Sequence, residues 1–436
     1  MPARDTSPLD TALDPMPDAP VCVALSGGLD SATLLDVLAR RCSAQSRPLR
    51  AVHVHHGLSA HADAWAAACA AMCASAGVAL TVRRVVVATR EGGGVEAAAR
   101  DARRAAFADV LEPGDVLALA HHRDDQAETF LLRALRGSGT DGLGAMHAWQ
   151  PFARGHLWRP WLELSRDAIE RHAALHGLHW IEDDSNADAR FDRNYLRRHV
   201  MPLLRERWPH AGAALAMSAA HCRDATALLR DEDARALDGV RTPDPQVLSI
   251  SALRAVTPLR LARVLRAWTT SLGLPPLPRV GVERIAADLL SARTDASASF
   301  DWHGASVRAW RDLMHAGRTR APLAAAFVAT WGGDDVFDLP DGGRLQLEGA
   351  VRLDAPVQVR ARTGGERITL PGRSHSHALK HVVQDRAIAP WTRAHLPLLF
   401  AADGELLAAG DLIQSDRFDA WMRTTGARLI WTPPRD

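Results

Sequence analysis

The feature that most constrains this chain is a regular alternation, from Val21 to about Trp180, of short β-branched apolar runs with helical patterns. Residues 21–25, 49–54, 80–87 and 116–120 read as strands, and residues 31–42, 62–76, 95–111 and 125–136 read as helices. That order predicts an α/β fold built on a doubly wound parallel sheet, here given bounds of 20–210 behind a flexible lead over 1–19. A chain of 436 residues with 47% hydrophobic content has material for more than one core. From 211 to 325 the texture becomes rich in Ala, Leu and Arg with helical periodicity at 252–272 and 280–291, which predicts a helical middle domain. From 326 to 436 short alternating segments are punctuated by turns such as Pro340-Asp341-Gly342-Gly343, which predicts a small α+β domain.

Several function classes fall away at this level. Every apolar run is broken by Arg, Asp or His before it could span a bilayer, and the first twenty residues carry Asp and Pro in place of a basic-then-apolar signal. A cytoplasmic protein is expected. The five cysteines are odd in number and form no C-x-x-C pair, which argues against a disulfide framework or a zinc knuckle. Cys69 and Cys73, four apart in an alanine-rich helical pattern, read as one buried face. The net charge of +1 suggests no particular partner. Lys380 is the single lysine, so nearly all positive charge sits on guanidinium groups, which fork onto phosphate and stack on bases.

The sharpest motif is Ser26-Gly27-Gly28-Leu29-Asp30-Ser31, set directly between the first strand and the first helix. Glycines allow close backbone approach to a phosphate, the helix N-terminus offers free N–H groups, and its dipole favours negative charge. Ser26 and Ser31 add hydroxyl donors. Asp30 or Ser31 could also be a plain helix cap, but a cap needs neither the glycine pair nor both serines. No G-x-x-x-x-G-K-[ST] or G-x-G-x-x-G occurs, which excludes a Walker loop and a dinucleotide fingerprint. A carboxylate beside phosphates suits Mg²⁺, so Asp30 is the candidate metal ligand.

A second constellation, His121-His122-Arg123-Asp124-Asp125, follows the strand at 116–120 and opens a helix. In a doubly wound sheet the carboxyl ends of the strands face one crevice, which brings His121 and Asp125 to the rim that holds Ser26. A transition-metal site and a simple acidic helix start are the alternatives. On the helix before it, Arg100, Arg103 and Arg104 stand close together, either as a solvated face or as cations that neutralise a reacting centre.

The string "SGGLDS" resembles the PP-loop of ATP pyrophosphatases, which split ATP into AMP and pyrophosphate while adenylating a substrate. Together with "HVHHGLS", "AARDARR", "AHHRDDQAETFLLRALRGSG", "GLGAM" and "EDDSNADARFDRNYLR", in that order, it resembles the tRNA(Ile)-lysidine synthetase family. The stretch "GGERITLPGRSHSHALKHVVQDRAIAPWTRAHLPLLF" is similar to the terminal domain of the longer family members. The resemblance implies ATP and Mg²⁺ as cofactors, tRNA(Ile) with a CAU anticodon and L-lysine as partners, no membrane, and a homodimer as an open option. It implies that the wobble cytidine is adenylated and that lysine then displaces AMP, forming lysidine.

Carried onto this chain, residues 26–31 hold ATP, and Asp30, Arg103, His121 and Asp125 serve the reacting centre. Arg100, Asn194, Arg197 and Lys380 approach substrate. The cations Arg360, Arg362, Arg367, Arg373, Lys380, Arg386 and Arg393 would offer phosphate contacts, with Trp391 for stacking. Two positions depart from the family's pattern: Arg104 stands where an aromatic residue is common, and Lys380-His381 where a lysine pair is usual. A tRNA-thiolating PP-loop enzyme and a non-catalytic RNA-binding protein are the competing readings, and the missing C-x-x-C pair weighs against the first.

Overall fold

The computed structural model describes residues 7–87, 95–182, 188, 190–291, 298–349 and 352–434, with backbone alone at 95–97. Two compact units divide at Leu229 and Arg230, inside a long helix spanning Ala211–Asp238.

The first unit is built on six strands: β1 (Val21–Ala24), β2 (Leu49–His55), β3 (Ala79–Arg84), β4 (Val116–Ala118), β5 (Trp149–Phe152) and β6 (Gly155–Trp158). Their order is β3-β2-β1-β4-β6-β5, parallel throughout except for β5, which closes the edge as an antiparallel hairpin with β6. Alternate residues of each central strand enter opposite cores. Val21, Val23 and Ala51 join one with Leu34, Leu38 and Ile169, while Cys22, Val52 and Leu117 join the other with Val110 and Leu111. Both faces are therefore covered, which is why these strands read as continuous apolar runs. The covering helices include α1 (Pro8–Thr11), α2 (Leu29–Ala44), α3 (Ala62–Ala76), α4 (Val95–Val110) and α5 (Arg123–Leu135).

Residues 7–19, expected as a flexible lead, are anchored instead. Leu9 and Leu13 are fully buried in the core around β1, and the Trp161 indole donates to the Leu9 carbonyl over 3.2 Å. Two apolar side chains with somewhere to go outweigh the turn-like composition around them.

The second unit carries two separate cores. The helical region is present, and it also holds an antiparallel sheet ordered Val247–Ser249, Leu313–Arg318, Ala305–Trp310 and Ala298–Trp302 that the sequence pattern does not signal. The single helix expected over 252–272 is two, Ile250–Arg254 and Pro258–Ser271. Pro258 takes the first turn of the second and holds Thr257 extended, which breaks the run. The C-terminal part is α+β as expected, with five-, three- and two-stranded sheets and the helices Leu379–Asp385, Pro390–Ala394 and Asp416–Thr425.

Candidate active site

Strand order reverses between β1 and β4, and ligands of such sheets bind outside the carboxyl ends at that switch point. Both sequence motifs sit there, since residues 26–31 follow β1 and the His121–Asp125 stretch follows β4.

The loop after β1 is tightly organised. The Ser31 hydroxyl accepts from the Ser26 amide over 3.1 Å, lies 2.9 Å from the Ser26 hydroxyl and donates to the Gly28 carbonyl over 3.1 Å. Gly27 has φ +91°, and a Cβ there would stand 2.5 Å from the Ile181 side chain and 3.1 Å from Cys69 Sγ. Only glycine fits. The Ile181 amide donates to the Gly27 carbonyl over 2.8 Å, tying the segment after residue 180 to the loop. Helix α2 starts at Leu29 behind an extended Gly28 with no side-chain cap, so its first amides are left for a ligand.

Asp30 stands in that first turn. Its Oδ1 is buried with no hydrogen-bond partner, and its Oδ2 lies 3.8 Å from His122 Nε2. Burial pushes its carboxyl pKa up, against the pull of His122 and Arg166. An orphaned carboxylate oxygen beside free amides is the donor that a hard cation such as Mg²⁺ takes.

His122, not His121, connects the two motifs. Its Nδ1 accepts from the Asp124 amide over 3.2 Å, so the ring proton sits on Nε2, which faces both Asp30 and the Asp125 Oδ2 at 3.4 Å. The Asp125 carboxylate also accepts from the His122 amide over 3.0 Å, completing a cap on α5. His121 lies on the other side of this turn. Arg159 Nε donates to His121 Nδ1 over 3.3 Å. Desolvation of the ring, with Arg159, Arg193 and Arg103 nearby, pushes its pKa down to about 3 against the pull of Asp125. His121 is thus neutral, with its proton on Nε2.

Asp125 and the buried Glu128, one turn apart on α5, face Arg193 and Arg197, one turn apart on the segment 192–200, which widens into a π turn at Leu196–Val200. Arg193 reaches Asp125 at 2.7 Å and Glu128 at 2.8 Å, and Arg197 reaches them at 3.0 and 2.7 Å. Two charges of each sign cancel. Burial would raise the Asp125 carboxyl pKa, but His122, Arg193 and Arg197 together hold it at about 2. Arg197, expected to approach substrate, is therefore committed first to this cage, and Asn194 donates to the Asp188 carbonyl over 3.0 Å. Arg193 and Glu128 are site residues that the sequence reading missed, although their i,i+4 and i,i+3 spacings to Arg197 and Asp125 carried the signal. Residues 183–187 and 189 of the "EDDSNADAR" string lie outside the described residues.

A cavity of about 380 Å³ opens beside this cage, lined by His122, Asp124, Glu128, Arg166, Glu170, Arg197 and others, though by none of residues 26–31. Arg100 and Arg103 are exposed on α4, and Lys380 is exposed in the second unit. The buried thiols are poor nucleophiles. Burial pushes Cys22 and Cys69 up to about 12 and Cys73 up to about 11, which removes the sulfur chemistry that a thiolating enzyme needs from these three.

Three family profiles match the chain: a PP-loop domain over residues 3–204, a TilS substrate binding domain over 248–315 and a TilS substrate C-terminal domain over 357–431. A tRNA(Ile)-lysidine synthase of Xanthomonas campestris pv. campestris (strain 8004) is 51% identical over 417 residues, covering 95% of each chain. This chain belongs to the tRNA(Ile)-lysidine synthase family. Relatives of the same name from Xylella fastidiosa (strain 9a5c) and Ralstonia nicotianae are 50% and 42% identical, covering 96% and 95% of this chain and 96% and 92% of their own. Arg104 supplies a cation above the Phe152 ring at 4.8 Å.

Proposed function

We propose that this chain joins L-lysine to the wobble cytidine of tRNA(Ile) bearing a CAU anticodon, through an adenylated cytidine. The observation that carries this reading is identity near one half, along almost the whole length, with proteins named for that synthesis. In the first step the cytidine ring oxygen attacks the α-phosphorus of ATP and pyrophosphate leaves. In the second, a lysine amino group attacks the ring carbon that bears this oxygen, and AMP leaves with the C–O electron pair. The ring carbonyl is a poor electrophile until its oxygen becomes a phosphoester leaving group.

Residues 26–31 would cradle the ATP phosphates, with the amides at the α2 start as donors. Asp30 would hold Mg²⁺, which when bound neutralises phosphate charge. His121, neutral and with Nε2–H available, would donate a hydrogen bond at the reacting centre, and Arg103 would offset developing negative charge. Asp125, with its carboxylate locked, would orient His122 toward Asp30. The cavity beside Glu128 and Arg197 offers both carboxylates and guanidinium groups, the pairing that an amino-acid zwitterion with a second ammonium needs. Arg100, Asn194 and Arg197 of the first unit and Lys380 of the second would approach substrate. A homodimer belongs to this reading, as does a cytoplasmic setting. No helix among the described residues is long and apolar enough to cross a membrane.

The test is incubation of the purified chain with unmodified isoleucine CAU tRNA, Mg-ATP and labelled lysine, with methionine CAU tRNA as control. Lysine entering only the isoleucine tRNA is expected. ATP consumed without lysine incorporation would leave the nucleotide loop standing and remove lysine as the second substrate.

A further inference from the structure

The string Gly142-Leu143-Gly144-Ala145-Met146 runs from the end of a short helix at Thr140–Leu143 toward β5, and its carbonyls are taken from two directions. From α5, Arg133 donates to the Gly142 and Ala145 carbonyls over 2.6 and 2.9 Å. Gln126, also on α5, donates to the Met146 carbonyl over 2.9 Å and accepts from the Met146 amide over 2.8 Å. From the long helix Ala211–Asp238, the half-buried Arg223 donates to the Gly144 carbonyl over 2.8 Å and to the Met146 carbonyl over 3.3 Å. All of these residues belong to the first unit. A Cβ at Gly144 would stand 2.8 Å from Arg223 Cγ, so glycine is what lets the two elements meet this closely. Ala145 is held at φ +52°, a left-handed backbone that a Cβ disfavours and that persists only where its surroundings fix it.

The turn leads on to the reacting centre. The next carbonyl, that of His147, accepts from the Arg159 guanidinium over 2.8 Å, and the one after it, that of Ala148, accepts from the Arg159 amide over 2.8 Å. The same guanidinium donates through Nε to His121 Nδ1 over 3.3 Å. Arg159 is buried, so water does not readily replace an acceptor that it loses. The Arg159 bond fixes the tautomer of His121, and the turn fixes Arg159. An unbroken series of bonds therefore runs from Arg223 through residues 144–148 and Arg159 to the ring. Arg223 itself makes no bond to His121, Asp30 or Asp125.

We propose that Arg223 is a positioning residue for the adenylating step: by holding the Gly144 and Met146 carbonyls it fixes the His147 carbonyl against Arg159, and through Arg159 it fixes His121. The proposal rests on the function proposed above, in which His121 donates a hydrogen bond at the reacting centre. Orientation matters there because a group misplaced by about 1 Å loses much of its effect on the rate.

The test is single-turnover transfer of labelled AMP from Mg-ATP to isoleucine CAU tRNA by the full chain. Wild type, Arg223→Ala, Arg223→Lys, Arg159→Gln and the Arg223→Ala/Arg159→Gln double variant are compared. Arg223→Ala should lower the maximal rate on the order of tenfold, with the half-saturating concentrations of tRNA and Mg-ATP unchanged. The double variant should be no slower than Arg159→Gln alone, because both losses pass through one ring. Arg223→Lys, which keeps a donor for the two carbonyls, should recover most of the rate. Should Arg223→Ala fail to fold, the same cycle with Arg223→Gln, which keeps much of the packed stem, decides the matter. An unchanged maximal rate, a loss expressed in either half-saturating concentration, or multiplied losses in the double variant would each overturn the positioning role. Absence of AMP transfer by the wild type would instead remove the function on which that role rests.

Discussion

Two sets of cations, one in each unit, handle their positive charge in opposite ways. In the first, the cations of the cage meet carboxylates: Arg193 and Arg197 are shared between Asp125 and Glu128, and Arg205 reaches Asp124 at 2.5 Å. In the second, of the seven cations expected to contact phosphate, only Arg362 meets a carboxylate among the described residues, Glu366 at 3.9 Å. The others satisfy their N–H groups on neutral neighbours or leave them in solvent. Arg360 bonds Gln358, Arg367 bonds Ser376, and Arg386 and Arg393 bond the Leu412 and Ile388 carbonyls. Charge cancelled inside a crevice fixes geometry, whereas charge left uncompensated on a surface attracts a polyanion. The two sets should therefore respond to different perturbations.

A large effect should come from breaking the cage. Glu128→Ala removes one of the two carboxylates that Arg193 and Arg197 share, leaving Asp125 alone to meet both guanidinium groups, and should cost about 2–3 kcal/mol, read as a lower denaturation midpoint at unchanged denaturant slope. Stability equal to wild type would mean that the cage contributes no net energy. Next, replacing Arg373, Lys380 and Arg386 together by Gln should weaken tRNA binding and flatten the plot of log affinity against log salt by roughly 0.7–0.9 for each phosphate that is no longer neutralised. The KM for Mg-ATP should not move. An unchanged salt slope would make that surface an ordinary arginine-rich exterior.

A further effect is at acid pH. The native chain does not protonate His121 until about pH 3, whereas an unfolded histidine does so near 6.5. The unfolded state therefore binds the extra proton between those values, and stability falls as pH drops from about 6.5 toward 3. Asp125 adds a loss only as pH falls from about 4 through 2. His121→Gln, which keeps an N–H donor near the Nε2 position, should remove the first slope and leave the second. Equal acid sensitivity in variant and wild type would mean that His121 titrates normally.

Much of the first unit is legible in the sequence because its signals are local. Apolar runs covered on both faces mark β1, β2 and β4, and the glycine pair marks the turn that only glycine fits at Gly27. What escapes depends on contacts across distance. Which of His121 and His122 meets Asp30 is decided by which of them caps α5, and the fate of Arg197 by carboxylates some seventy residues away. Leu9 and Leu13 read as a loose lead because two leucines among Asp and Pro form no pattern until a core receives them. The Trp391 indole, expected to stack on RNA, already faces the His315 ring at 4.8 Å and the Trp310 ring at 6.3 Å. Trp149, Trp180 and Trp208 are the tryptophans left most exposed among the described residues. The antiparallel sheet of the second unit escapes for a related reason, since its strands of three to six residues lie among arginines and carry little alternation.

The most direct test of the account uses ATP labelled in its α-phosphate, isoleucine CAU tRNA and no lysine, with Asp30→Asn in parallel. Label should become attached to the tRNA as AMP, leave it as free AMP when lysine is added, and fall on the order of 10²–10³-fold in the variant. Lysine incorporation without any RNA-bound AMP, or near wild-type labelling by Asp30→Asn, would contradict the assignment of the loop at residues 26–31 as the adenylating site.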